Sequence, residues 1–420
     1  MCQSIERIAQ FVNQTTIRYH VQDMTAKKRV YLDNAASTPV DERVVAQMEP
    51  YWTSIMANPD SIHEDGVAAA RALEQARGSV AAALGCRDDE VTFVSGGTEA
   101  NNAAIFGLIR SVQKGRPLDS MHIITSAIEH SSVRACFEVL AEEGVRVTFL
   151  DVDETGRVHF EDLEHAVTSD TVLVSLMYVN NEVGTIADMH KVRSCVRSAR
   201  KRFGSSFPYF HADASQALPW LSCNVDDLGV DLMTLDGHKM YAPKGIGALY
   251  HRRDTPLEAL LHGGSQEQGL RPGTPPIPLI VGFGAGVAYL EAERDSYTAD
   301  IGRLRDYLVS EVKRAVPQCL ENGPPTSMRI PGNANLSFPP HDAEQMVLEL
   351  DARGMSVSTR SACLKDKQGG SSVIFALYGD RERAHTAVRF SLSRYTTKED
   401  IDHAIAAILE TIHKLDVHAG

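Results

Sequence analysis

The stretch DLMTLDGHKMYAPKGIG, Asp231 to Gly247, decides the fold. Val230 to Leu235 reads as a short buried strand with little charge inside. Asp236-Gly237 breaks it. His238-Lys239 then stands at the strand's carboxyl end, ahead of a Pro-Lys-Gly-Ile-Gly turn. In open α/β sheets, ligands bind just outside the carboxyl ends of strands. A lysine there, beside a histidine and tight glycine turns, is placed to hold a carbonyl cofactor as a Schiff base. A lone lysine at a strand end is more often a surface residue. The weight of the reading therefore rests on the segments around it.

Those segments alternate. Val91 to Val94 predicts a strand, Ser95-Gly96-Gly97-Thr98 a turn without bulky side chains, and Glu99 onward a helix. Free backbone N–H groups and the positive end of a helix dipole make such a junction an anion site. It matches neither a Walker loop nor GxGxxG, so it points to phosphate without pointing to a nucleoside triphosphate. An ordinary strand–helix junction with a glycine cap reads the same locally. His122 to Ser126 and Val145 to Leu150 are further strands, with His130 at a helix start between them. Val172 to Val179 is a strong apolar strand running into Asn180-Asn181-Glu182-Val183-Gly184. A basic helix, Lys191 to Phe203, leads to Tyr209 to His211 and then ADASQ, and Gly247 to His251 turns back as another strand. Strand and helix in this alternation predict an α/β fold with a mostly parallel, helix-covered sheet. Thr98, His130, Asn181, Asp213, Gln216, His238 and Lys239 all fall at one end of successive strands.

Outside this core, residues 1–29 read as an N-terminal extension. Asn34 sits in a small-residue turn, DNAASTP, and Gly66 to Leu84 is a long helix. GGSQEQGLRPGTPP, Gly263 to Pro276, is a loop long enough to be functional or interfacial. A helix from Ile277 to Glu293 or beyond follows, and then an α+β mixture. The expected division is a large domain over 46–292 and a smaller α+β domain made of 30–45 and 293–420. In the latter, Cys363 lies in VSTRSACLKDKQGGSS among small and polar residues, where Arg360, Lys365 and Lys367 favour its thiolate. Arg389, inside the apolar strand Val388 to Leu392, needs an anionic partner. A structural carboxylate or a substrate carboxylate would serve.

The bulk numbers narrow the class. A chain of 420 residues is too long for one small core. A formal net charge of −13 without a dense basic block argues against direct nucleic-acid binding. The most apolar windows are too short to span a membrane. Seven scattered cysteines without CxxC argue against a metal site of the chain's own. Their odd number, and the absence of a secretory pattern, place the expected compartment in the cytoplasm.

Taken in order, YLDNAASTP, SGGTEANN, EHSSV, NNEVG, HADASQ, GHKMYAPKGIGALY, GLRPGT, STRSAC and VRFSLSRYTT resemble the motifs of a known family. It comprises the pyridoxal 5'-phosphate (PLP) enzymes of the class V aminotransferase fold, specifically cysteine desulfurases of the NifS/IscS type. The likeness runs from about Val30 to Leu415. It implies the aspartate aminotransferase-like fold type I, with a mostly parallel seven-stranded sheet in the large domain. It implies that Lys239 holds PLP, Asp213 pairs with the pyridinium nitrogen, His130 stacks on the ring and Gln216 bonds its phenolic oxygen. Gly97, Thr98 and His238 would hold the phosphate, and Thr274 would reach the phosphate of the other subunit of a homodimer. Arg389, with Asn34 and Asn181, would bind the substrate carboxylate. L-cysteine would give up its sulfur to Cys363 as a persulfide, alanine would leave, and the sulfur would pass to an acceptor protein. That acceptor would be an iron–sulfur scaffold, a tRNA-thiolation relay or a DNA-modification system. A selenocysteine lyase, a transaminase-like member, or a non-catalytic dimeric platform in a sulfur-transfer complex are the alternatives; a transaminase has no use for a loop thiol.

One position departs from the pattern. The family usually carries Ser or Thr three residues before the lysine, and here Asp236 stands there. Two like charges about 4 Å apart at an effective dielectric near 20 repel by roughly 4 kcal/mol. The expectation is that Asp236 turns away from the phosphate site, to a backbone N–H or a basic side chain.

Overall fold

The computed structural model describes residues 29–359 and 370–419. The extension 1–28 and the segment 360–369, which carries Arg360, Cys363, Lys365 and Lys367, lie outside the described residues. Twelve strands are described: β1 (Val30–Tyr31), β2 (Val91–Val94), β3 (His122–Ser126), β4 (Arg146–Leu150), β5 (Thr171–Ser175), β6 (Tyr209–Asp213), β7 (Leu232–Asp236), β8 (Gly247–His251), β9 (Leu320–Glu321), β10 (Asn333–Ser337), β11 (Met355–Ser356) and β12 (Ala387–Ser391). The helices that matter below are α1 (Glu64–Leu84), α2 (Gly97–Gln113), α3 (Ser131–Glu142), α4 (Met189–Phe203), α5 (Ile277–Ala315) and α6 (Lys398–Ala419).

Seven strands form the main sheet in the order β2-β8-β7-β6-β5-β3-β4. Only β8 runs against the others, pairing antiparallel with both β2 and β7. The strands of such a sheet are buried on both faces and read as near-continuous apolar runs; β3 and β5 are buried at every residue. Alternate residues feed two cores. Val94, Ile123, Leu173, Leu232 and Leu249 meet Ile105 and Leu108 of α2 and Phe137 and Leu140 of α3. Phe93, Ile124, Val174, Phe210, Met233 and Leu235 join α1, α4 and α5 on the other face. Small residues let α1 and α5 approach closely, since a Cβ at Gly284 would come within 2.7 Å of Ala76 Cα.

One strand-level reading shifts. The apolar run expected to be strand through Val179 leaves the ladder after Ser175, although Leu176 and Tyr178 N–H still bond to His211 and Asp213 carbonyls. The helix from Ile277 continues to Ala315, across position 293.

A second group of strands lies beyond that helix. β12, β10 and β9 form an antiparallel sheet, and β1 pairs in parallel with β11. Asp33 bridges to Ser391 and Ser358 to Arg389. The amino-terminal DNAASTP turn is therefore stitched to strand β12, some 350 residues later in the chain. This pairing brings Arg389 up to the carboxyl ends of the main sheet.

Candidate active site

A cleft of about 230 Å³ opens at the carboxyl ends of β5, β6 and β7, beside the start of α2. Gly97, Thr98, His130, Asn181, Asp213, Gln216, His238, Lys239 and Arg389 line it, all expected from the sequence. Ala35, Ala36, Asn101, Ser132, Met177, Ser215 and Asp236 also line it. A larger cavity of about 360 Å³ lies alongside and shares Met177, but none of the expected residues.

Lys239 ends a single helical turn, Gly237–Lys239, directly after β7. Its Nζ donates to Ala35 O at 2.6 Å and to Ala36 O at 2.8 Å. Burial pushes its pKa down to about 8; Arg389 adds to the fall, while Asp236, Asp33 and Asp213 oppose it. The backbone around Lys239 is fixed by Thr38, whose Oγ1 donates to His238 O and accepts from Tyr241 N–H. Tyr241 takes the left-handed φ of 57°. Such a conformation costs energy and persists only where the surroundings enforce it. Here the ring is buried, its hydroxyl accepts from Arg394 N–H at 3.0 Å, and Arg394 lies 4.3 Å above its face.

Asp213 closes β6. One carboxylate oxygen accepts from Ser215 N–H at 3.0 Å and the other from Asn101 Nδ2 at 2.8 Å. His130 caps α3, and Ser132 N–H donates to its Nδ1. Burial pushes the pKa of His130 down, against the pull of Asp213. Gln216 spends one amide hydrogen on Ala35 O at 2.8 Å, which leaves its second for a ligand.

The start of α2 is the anion cradle. Its first N–H groups have no partner inside the helix. Gly96 adopts φ 155°, which favours glycine, and a Cβ on Gly97 would meet Asp236 Oδ2 at 2.9 Å and Ser215 Oγ at 3.1 Å. Gly247 is equally constrained, because a Cβ there would sit 2.6 Å from Leu235 O and 2.8 Å from Gly96 Cα. Asp236 corrects the sequence expectation in one respect. Its carboxylate finds a basic partner, His238 Nε2 at 3.4 Å, yet it stays in the lining of the cleft, against Gly97. The positive end of α2 and the His238 ring explain why the charge is tolerated there. Burial outweighs Asp236 and pushes the pKa of His238 down.

Arg389 is buried at 2 % exposure and donates to Asp33 Oδ1 at 2.9 Å and to Asn181 O at 3.0 Å. Its Nε has no hydrogen-bond partner among the described residues. Asn34 is placed differently from the expectation. Its Nδ2 donates to Ser391 O at 2.7 Å and Tyr31 O at 3.3 Å, so both amide hydrogens hold backbone. Its remaining oxygen is an acceptor, which a carboxylate does not bind. Thr274 is exposed and outside the cleft lining of its own chain. The loop carrying it is anchored by Glu267, which pairs through both oxygens with Arg77 at 2.8 Å and accepts from Phe93 N–H at 2.7 Å.

Sequence reasoning missed Asn101, Ser132 and Asp33. Asn101 follows Gly97 by four residues, one helical turn on, so it shares the face that looks into the cleft. That spacing was the available signal. Asp33 carries no such mark, because its partner lies on a strand 356 positions away.

The residues present fit PLP. A glycine-lined helix start borders the cleft, a carboxylate with two donors stands at the strand end, and a lysine with a depressed pKa lines the same cleft. Among the described residues no group of three or more metal-ligating side chains occurs.

Comparison with known proteins agrees with this geometry. The aminotransferase class-V family profile matches residues 30–404. A cysteine desulfurase IscS of Dictyoglomus turgidum is 40 % identical over 390 residues, covering 93 % of this chain and 96 % of that protein. The solved structure of a NifS-like protein superposes with a TM-score of 0.85 at 34 % identity, covering 92 % of this chain and 99 % of the other. A structure described as SspA in complex with cysteine superposes with a TM-score of 0.75 at 31 % identity, covering 87 % and 99 %. By sequence along nearly its whole described length, and by the fold that carries it, the chain belongs to the class-V aminotransferase family.

Proposed function

We propose that the protein is a PLP-dependent cysteine desulfurase that takes sulfur from L-cysteine onto Cys363 and passes it to an acceptor protein. The observation that carries this reading is the convergence of Lys239, Asp213, His130 and Arg389 on one cleft at the start of α2. Relatives named as cysteine desulfurases, and a similar structure holding cysteine, support the substrate.

Lys239 would hold the cofactor, with its phosphate at Gly97, Thr98 and His238 and its ring nitrogen at Asp213. Bound there, PLP supplies an electron sink that makes the sulfur of cysteine a feasible leaving group. The chain's own groups do the rest. Arg389 binds the substrate carboxylate through a guanidinium pre-set by Asp33 and Asn181, which fixes orientation before reaction. Lys239, once released by substrate, moves protons, and the burial that pushes its pKa down favours the neutral amine this requires. The Cys363 thiolate attacks the substrate sulfur. The new S–S bond forms as the C–S bond breaks, and the electron pair left on carbon takes a proton to yield alanine.

Thr274 is assigned to the phosphate of a second copy. Its exposure supports this, as do Trp52 at 58 %, Met56 at 71 % and Ile62 at 99 %, apolar side chains that a dimer would cover. The Gln266–Asp60 hydrogen bond ties the Thr274 loop to that apolar region. The acceptor in this reading is an iron–sulfur scaffold, a tRNA-thiolation relay or a DNA-modification protein.

Mass spectrometry after brief incubation with L-cysteine tests the proposal, alongside Cys363→Ala and an alanine assay. One added sulfur on the Cys363 peptide with alanine released is expected. Alanine without sulfur on Cys363 would point to a lyase that bypasses this thiol. Neither product, despite bound PLP, would reject cysteine as substrate.

A further inference from the structure

We propose that Asn101 and Ser132 are positioning residues that lock the His130 ring with Nδ1 unprotonated and its proton on Nε2, and that couple this state to the Asp213 carboxylate. The inference rests on the reading of the cleft given above.

One contact fixes the tautomer, and a hydrogen-bonded relay follows from it. Ser132 N–H donates to His130 Nδ1 at 3.2 Å. A backbone N–H can only donate, so Nδ1 accepts and carries no proton. The relay starts at Asp213. Its Oδ2 lies 2.8 Å from Asn101 Nδ2, which sets the orientation of that buried amide. The other hydrogen of the same Nδ2 goes to Ser132 Oγ at 2.8 Å. Ser132 Oγ accepts from Asn101 and, because Nδ1 is already the acceptor of the backbone N–H, the hydroxyl hydrogen is the one that lies between Oγ and His130 Nδ1, 2.8 Å away. The chain Asp213–Asn101–Ser132–His130 has one consistent direction of donation, and it ends on the same nitrogen as the backbone N–H.

The proton of the neutral ring then sits on Nε2, the nitrogen left for the cleft that His130 lines. Protonating Nδ1 would face it with the Ser132 backbone N–H, which can only donate, and would make the Ser132 hydroxyl give up its bond to the ring and turn, so both contacts oppose the imidazolium. Burial opposes it too, and Lys239 adds to this, while Asp213, Asp236 and Glu182 favour the charge; the net pull is downward. His130 accordingly enters the reaction as a donor from Nε2, not as a base through Nδ1. Asn101 Oδ1 is buried without a partner among the described residues. A buried unsatisfied acceptor is costly, and here it accompanies an amide committed through both hydrogens to the relay.

The test uses the full-length protein labelled with ¹⁵N-histidine, in its cofactor-free form. His130 is identified by the resonances lost in His130→Gln. Long-range ¹H–¹⁵N spectra should show the Nε2–H tautomer at neutral pH. Ser132→Ala removes one donor to the neutral ring, and the His130 protonation constant should rise roughly two- to tenfold. Ser132→Thr keeps a hydroxyl and should restore the wild-type titration. Asn101→Ala frees the Ser132 hydroxyl and should also raise the constant. An Nδ1–H tautomer, or a wild-type ring charged at neutral pH, would overturn the proposal. So would wild-type titrations in both alanine variants with folding intact by circular dichroism. The visible absorbance band on adding PLP is recorded on the same samples. Its absence would reject the reading of the cleft, whereas the His130 titration judges the relay by itself.

Discussion

Asp33 Oδ1 holds Arg389 Nη2 at 2.9 Å, joining the first strand-end turn of the chain to one of its last strands. The guanidinium is nearly inaccessible, and the Asp33 side chain keeps 21 % exposure. Arg389 is thus aimed before any substrate arrives. Replacing Arg389 with Ala should raise KM for L-cysteine by roughly 10- to 100-fold, the worth of a charge-assisted hydrogen bond of about 1.5–3 kcal/mol. Asp33→Asn keeps the shape and loses the charge, so its KM should fall between wild type and Arg389→Ala. Steady-state alanine production measures both.

Lys239 has a pKa near 8 instead of the usual 10.5, chiefly through burial. The neutral amine is the nucleophile, so the reaction with added PLP gains rate as pH rises. At pH 7 about a tenth of the lysine is neutral. The rate of condensation with cofactor-free protein should climb through pH 8 and level off above it. An unshifted amine would keep accelerating towards pH 10. Stopped-flow absorbance gives the profile, and Lys239→Arg should form no borohydride-trappable adduct.

Asp236 faces the cradle with a carboxylate where a hydroxyl would donate to phosphate. Like charges about 4 Å apart at an effective dielectric near 20 repel by roughly 4 kcal/mol before the His238 ring and helix α2 offset them. Asp236→Thr should therefore bind PLP at least tenfold more tightly in a spectrophotometric titration. Unchanged or weaker binding would mean that the Asp236–His238 pair contributes to holding the phosphate.

The Arg77–Glu267 pair is buried on both sides, at 9 % and 4 % side-chain exposure. Arg77 also donates to Val91 O at 2.7 Å, and Glu267 itself takes a left-handed φ of 49°. Glu267→Ala leaves the buried guanidinium with the exposed Glu74, 3.3 Å away, as its remaining carboxylate among the described residues. Breaking one half of a buried pair costs about 3–5 kcal/mol. Urea unfolding should show that loss, and the loop carrying Thr274 should become more susceptible to proteolysis than in wild type.

The sequence by itself determined the alternation of strands and helices, and with it the end of the sheet where the site lies. Apolar runs and glycine turns are local signals, so β2, β3, β7 and β8 stand where hydrophobic patterning places them. The residues at those strand ends, from Thr98 to Lys239, were legible for the same reason. What only the tertiary structure decided are the contacts between segments distant along the chain. Lys239 rests on carbonyls of Ala35 and Ala36, Asn34 is committed to Ser391, and Arg389 takes Asp33 as its partner. Asp236 also stays in the cleft, because a helix N-terminus and a histidine ring meet it there. No periodicity encodes such pairings. They follow from strand register and close approach, which exist only once the sheet and its neighbouring strands have come together.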